Sequence, residues 1–89
     1  MTFTVLLYPK AAKELKKTEK SVQARIMERA KELRENPEKV GKPLLQSDFW
    51  SLRAGNYRVI YRIDQEENQV VILFVGHRSK VYDDFAKML

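Results

Sequence analysis

Apolar and polar residues alternate across 3–8, with Phe3, Val5 and Leu7 on one side, until Pro9 stops the run. That period of two predicts a half-buried strand. Pro9 opens a helix predicted to reach about Lys17 with Ala12 and Leu15 inward, since a helix start leaves the missing N–H unpaired anyway. Ser21 is the predicted N-cap of a second helix. Val22, Ile26, Ala30 and Leu33 make its apolar stripe, and Asn36-Pro37 closes it. Two such neighbours read as a helical hairpin. Residues 40–47 form a connection, and from Phe49 the period returns to two. Strands are predicted over 49–54, 57–64 and 69–76, separated by Gly55-Asn56 and by the polar run Gln65-Glu66-Glu67-Asn68. Val70 to Val75 is apolar throughout, as in an inner strand covered on both faces. A terminal helix over 79–89 should turn Val81, Phe85 and Met88/Leu89 to one side. The predicted order β-α-α-β-β-β-α is an α+β fold in one domain over 1–89.

Cross-strand pairs follow from the turn. With Gly55-Asn56 at the tip, Ala54 opposes Tyr57, Arg53 opposes Arg58, Leu52 opposes Val59, Ser51 opposes Ile60 and Trp50 opposes Tyr61. Because side chains alternate, Trp50, Leu52, Val59 and Tyr61 form an apolar face for the helices. Ser51, Arg53, Arg58, Ile60 and Arg62 share the other. Two arginines directly opposite repel unless an anion lies between them. That anion is either a carboxylate of the chain, such as Asp83 or Asp84, or a bound phosphate, whose oxygens match guanidinium forks.

Charge sharpens this picture. The formal net charge is +5, from 17 basic and 12 acidic residues. All of that excess sits in residues 1–44, where the Lys/Glu mixture of the helices reads as a solvated face. The short stretch from Arg53 to Arg62 is locally all positive. A basic balance of this kind points to a polyanion or an acidic protein partner. There is no cysteine and one histidine, so thiolate sites, disulfides and a Cys nucleophile are excluded. The acids show no metal-ligand spacing, and the three glycines are too scattered for a phosphate loop. No apolar run approaches the roughly 20 residues of a membrane span, and no leader pattern precedes Pro9. The chain is expected to be soluble and cytoplasmic. His77, Arg78, Lys80 and Tyr82 cluster just after the last strand, where side chains leave the sheet and become reachable.

The segments Leu52-Arg53-Ala54-Gly55-Asn56-Tyr57-Arg58-Val59-Ile60-Tyr61, Val75-Gly76-His77-Arg78 and Val81-Tyr82 together resemble the RelE/ParE superfamily of toxins from type II toxin–antitoxin systems, on its RelE-like side. The resemblance spans essentially the whole chain. It implies a small microbial ribonuclease-like domain, with a curved antiparallel sheet against helices. It also implies a ribosome-dependent endoribonuclease that cuts messenger RNA in the ribosomal A site, without cofactor or metal. A RelB-like antitoxin would neutralise it in a hetero-oligomer. By position, Arg58 then contacts the scissile phosphate and Arg78 stabilises the charged transition state or the leaving group. Tyr82 orients or deprotonates the 2′-OH and stacks on a base. Arg53, Lys80 and His77 bind RNA phosphate. Two lysines of the RelE pattern are replaced here by Phe49 and Ser51, so Lys80, Lys42 or His77 is left to supply their charge in space. ParE-like relatives share the fold, lack the Arg/Tyr set and poison DNA gyrase. A toxin that only binds its antitoxin is the third reading.

Overall fold

The computed structural model describes residues 2–89. Strand β1 (Thr4–Leu7) leads into α1 (Pro9–Lys16), and α2 (Lys20–Ala30) follows, extended by a 3-10 turn (Lys31–Arg34). A single-turn α3 (Pro37–Val40) and a two-residue strand β2 (Lys42–Pro43) come next. Then come β3 (Phe49–Ala54), β4 (Tyr57–Asp64), β5 (Gln69–His77) and a short α4 (Val81–Ala86). The sheet runs β1-β5-β4-β3-β2. The α+β class stands, and the expected antiparallel sheet gains one parallel pair, β1 with β5. A whole helical hairpin separates those two strands in sequence, so no tight turn forces them antiparallel. No described helix is long and apolar enough to cross a membrane.

The β3–β4 hairpin has the register derived from its turn, from Ala54 with Tyr57 to Trp50 with Tyr61. Gly55 takes φ +62° at the first central position, as a type II′ turn requires. That turn matches the twist of the strands it joins. Leu52, Val59 and Tyr61 pack with Ile26, Ala30 and Leu33 in the main core, and Trp50 lies half-buried against it. Between β4 and β5 the register slips by one, because Ile60 pairs with Phe74 while Tyr61 pairs with Ile72. The extra residue, Leu73, lets β5 turn both Leu73 and Phe74 away from the helices. There they join Ile60, Val81 and Phe85 in a second, smaller core beneath α4.

Four expectations need correction. Helix α2 begins at Lys20 behind an extended Glu19, with no side-chain capping bond, and Ser21 is not its cap. The Gln23 side-chain amide donates to the Thr18 carbonyl at 2.9 Å and ties down that entry. In α1 the buried pair is Ala11 and Leu15, a spacing of four that tracks one helix face better than three. The terminal helix is only six residues long and leaves Leu89 78 % exposed. Its start is delayed because residues 78–80 form a turn in which the Lys80 N–H donates to the His77 carbonyl at 3.0 Å. Finally, the 40–47 connection carries β2, paired with β3 through Lys42–Ser51 and Pro43–Trp50. Proline is tolerated there because β2 is an edge.

Tyr61 joins these layers. Its ring is fully buried, and its hydroxyl donates to the Pro37 carbonyl at 2.6 Å. Burial pushes the phenol up to about 12, against smaller opposing pulls from the Gly41 backbone and the Arg29 charge. An unfolded tyrosine ionises near pH 10, so the unfolded chain releases this proton first. Stability should therefore fall between about pH 10 and 12, by roughly 2–3 kcal/mol from this group. Thermal melts across that window should show a steeper decline for the wild type than for Tyr61→Phe. Parallel declines would mean that the buried phenol does not carry the effect.

Candidate functional site

The face of the sheet turned away from α1 and α2 carries an open pocket of about 390 Å³. Ser51, Arg53, Arg58, Tyr82 and Lys42 line it, with Val40, Pro43 and Leu44 as its apolar wall. Strand alternation puts Ser51 and Arg53 on this face of β3, and antiparallel pairing sets Arg58 directly beside Arg53. The Arg58 Nη1 donates to the carbonyls of Tyr57 at 3.0 Å and Gly55 at 3.1 Å. One end of the guanidinium is thus tethered to the turn, and its other N–H groups remain available.

Tyr82 reaches the pocket from α4. Val81 and Phe85 pin that helix to Ile60 and Phe74, and the intervening Tyr82 stays 43 % exposed. Its hydroxyl lies 3.0 Å from the Ser51 hydroxyl. Gly76 makes this approach possible, since a Cβ there would sit 3.2 Å from two Val81 carbons.

The anion that the paired arginines require does not come from the neighbouring acids. Among the described residues the ion pairs are Glu14–Lys17, Glu28–Lys31 and Arg29–Glu32, all within the helical hairpin. Asp83 and Asp84 pair with neither Arg53 nor Arg58. Lys42, Arg53 and Arg58 therefore face one pocket without a carboxylate partner, and the species they can hold is an anion with several oxygens. No group of three His, Cys, Asp or Glu side chains lies together among the described residues.

The other sequence-predicted residues sit differently. Arg78 follows β5, with its backbone N–H on the Asn56 carbonyl at 2.8 Å. Its side chain is exposed and is not part of the pocket lining. Lys80 precedes α4, exposed and likewise outside the lining. His77 pairs with Tyr57 on the opposite face from Arg58, its ring edge-on to that tyrosine at 5.4 Å. Its Nδ1 accepts the Ser79 amide N–H at 3.2 Å, so this lone pair faces the turn. The fold thus brings Arg53, Arg58 and Tyr82 together, keeps Arg78 and Lys80 outside the pocket lining, and separates His77. It adds Ser51 as the hydroxyl partner of Tyr82, and of the three residues left to supply the missing lysine charge it brings Lys42 to the pocket. The alternation of β3 already put Ser51 on this face, whereas the irregular 40–47 segment carried no pattern that would place Lys42.

Residues 5–82 match the family described as ParE toxin of type II toxin–antitoxin system, parDE. The chain is 40 % identical over 85 residues to Toxin RelG of Mycobacterium tuberculosis, covering 92 % of this chain and 98 % of that one. It is 32 % identical over 83 residues to Toxin RelE of the same organism, covering 90 % and 86 %. The crystal structure of the toxin–antitoxin complex RelBE2 from M. tuberculosis is similar at a TM-score of 0.82 and 40 % identity, over 88 % of this chain and 100 % of that one. A free double variant of the E. coli toxin RelE matches 100 % of this chain and 99 % of its own, at a TM-score of 0.79 and 26 % identity.

Proposed function

From the premise that the chain belongs to the RelE/ParE superfamily of type II toxins, we propose that it is a ribosome-dependent, metal-independent endoribonuclease that cuts messenger RNA in the A site. The observation that carries this reading is a phenol hydroxyl and two unpaired arginines, Tyr82, Arg53 and Arg58, around one pocket. In the proposed reaction the ribose 2′-oxygen attacks the adjacent phosphorus and the P–O5′ bond breaks. The products are a 2′,3′-cyclic phosphate and a 5′-hydroxyl. The 2′-OH loses its proton, and the departing O5′ gains one. Tyr82 orients or deprotonates the 2′-OH and stacks on a base. Arg58 holds the scissile phosphate with Arg53 beside it. Arg78, exposed just after β5, stabilises the charged transition state or the leaving group, and Lys80 binds RNA phosphate. Preorganised cations act most strongly where negative charge builds up in the transition state.

The partner in this reading is a RelB-like antitoxin, as in the M. tuberculosis RelBE2 complex, with acidic residues over the cationic face. Its place of action is the cytoplasm. The match to the ParE family favours a second reading, inhibition of DNA gyrase. One experiment separates the two. The purified toxin is added to an in vitro translation reaction, to the same mRNA without ribosomes, and to a gyrase supercoiling assay. Cleavage of mRNA only on ribosomes, with supercoiling intact, is the expected result. Intact mRNA with lost supercoiling would replace the first reading by the second, and no effect in either assay would leave a toxin that only binds its antitoxin.

A further inference from the structure

We propose that Lys42 is a phosphate-binding residue of this same site, brought in from an edge strand to hold the RNA backbone beside Arg53 and Arg58. This rests on the ribonuclease reading. Lys42 pairs directly with Ser51 across β2–β3, and directly opposed residues share a face, with Cβ atoms about 5 Å apart. It therefore lines the pocket that Ser51, Arg53, Arg58 and Tyr82 line. The side chain is exposed and has no carboxylate partner among the described residues. An unpaired lysine beside two unpaired arginines is poorly placed for stability, since like charges gather there. It is well placed for a polyanion that bridges all three. Lys80 and His77 lie outside the lining, so of the three candidates Lys42 is the one the fold brings to this set.

The position of Lys42 is built, not incidental. Its neighbour Gly41 lies so close to β3 and β4 that a Cβ there would collide with the Tyr61 hydroxyl and sit 2.9 Å from the Ser51 carbonyl. Only a glycine lets the chain press down at that point and lay β2 along β3. On the other side of β2, the Leu44 N–H donates to the Phe49 carbonyl at 2.8 Å. The segment is fastened at both ends, and Lys42 projects from between them.

The test is single-turnover cleavage of mRNA on programmed ribosomes by wild type, Lys42→Met and Lys42→Arg. Lys42→Met should cleave roughly ten- to a hundredfold more slowly, the range of a charged hydrogen bond. Lys42→Arg should stay within a few-fold of wild type, because it keeps the charge at that position. A second readout needs no cleavage. On ribosomes programmed with a 2′-deoxy substitution at the cut position, the slope of log affinity against log salt should fall by about 0.7 in Lys42→Met, as for one lost contact to a single strand. If wild type cuts and Lys42→Met cuts equally fast with an unchanged slope, the inference fails while the ribonuclease reading stands. A slowed Lys42→Met with a lowered melting temperature and an unchanged salt slope would make Lys42 structural and overturn it. A wild type that cuts nothing on ribosomes brings down both.

Discussion

Arg58→Ala should slow mRNA cleavage on programmed ribosomes by about 10²–10³-fold, the usual cost of removing one positioned transition-state donor. The expectation comes from how the side chain is held. Its Nη1 is tied to the turn carbonyls of Gly55 and Tyr57, so the guanidinium is oriented before any substrate arrives. A flexible cation would have to be ordered during the reaction and would contribute less. Arg53 stands directly opposite, and like charges facing each other across a sheet are unfavourable. Removing Arg58 relieves that repulsion, so the melting temperature should change little even as activity is lost. Arg58→Lys should recover only part of the rate, because an ammonium cannot both keep the turn carbonyls and present a fork to phosphate. Tyr82→Phe keeps the ring for stacking and removes the hydroxyl that meets Ser51, and it should also be slower. Equal single-turnover rates for wild type, Arg58→Ala and Tyr82→Phe would sink the assignment of this pocket as the active site.

Leu52→Ala should destabilise the protein by about 3–4 kcal/mol, while its neighbour Arg53→Ala should leave stability nearly unchanged. Leu52 is 0 % exposed in the main core, and truncating a buried leucine leaves both lost burial and a cavity, typically about 2–5 kcal/mol. Arg53 is exposed on the other face of the same strand, and its own backbone carbonyl is held from the helix side by Arg29 Nε at 2.9 Å. That contact survives truncation of the side chain. For a domain of this length each kcal/mol moves the melting temperature by about 4–8 °C, so Leu52→Ala should melt at least about 12 °C lower. Thermal unfolding of the two variants side by side checks the claim. Similar shifts for both would mean that β3 does not divide its residues between core and site as described.

The parts legible in the sequence are those governed by short-range rules. A two-residue turn opened by glycine sets the register of the strands beside it. Alternation then assigns each residue a face, so the opposed Arg53 and Arg58 and the buried Leu52, Val59 and Tyr61 could be derived without coordinates. The helical stripe of Val22, Ile26, Ala30 and Leu33 was legible in the same way, because residues three and four apart share a helix face. The helix cap was less so. Serine competes well for an N-cap, but Glu19 takes that place two residues earlier and Gln23 holds the entry from within.

Other features depend on which segment covers which, and alternation is silent about that. Ile60 fell by parity on the arginine face, yet it lies under α4 with Phe49 packed beside it, where part of that face closes as a second core. The slip at Leu73 is what supplies apolar area for α4 to sit on, and the uniformly apolar run from Val70 to Val75 conceals it. Lys42 looked like part of a loop because Gly41 and Pro43 break any period. Its place in a strand comes from β3, which offers a free edge, and from Gly41, which lets the chain approach that edge. The sequence by itself determined the hairpin, its two faces and the pair of arginines, since turn geometry and side-chain parity act over a few residues. Only the tertiary structure decided that Tyr82, 31 residues from Ser51 along the chain, meets it at 3.0 Å, and that a lysine from an edge strand joins the arginines. Those meetings are set by the packing of α4 and β2 onto the sheet, not by any local preference of the residues that meet.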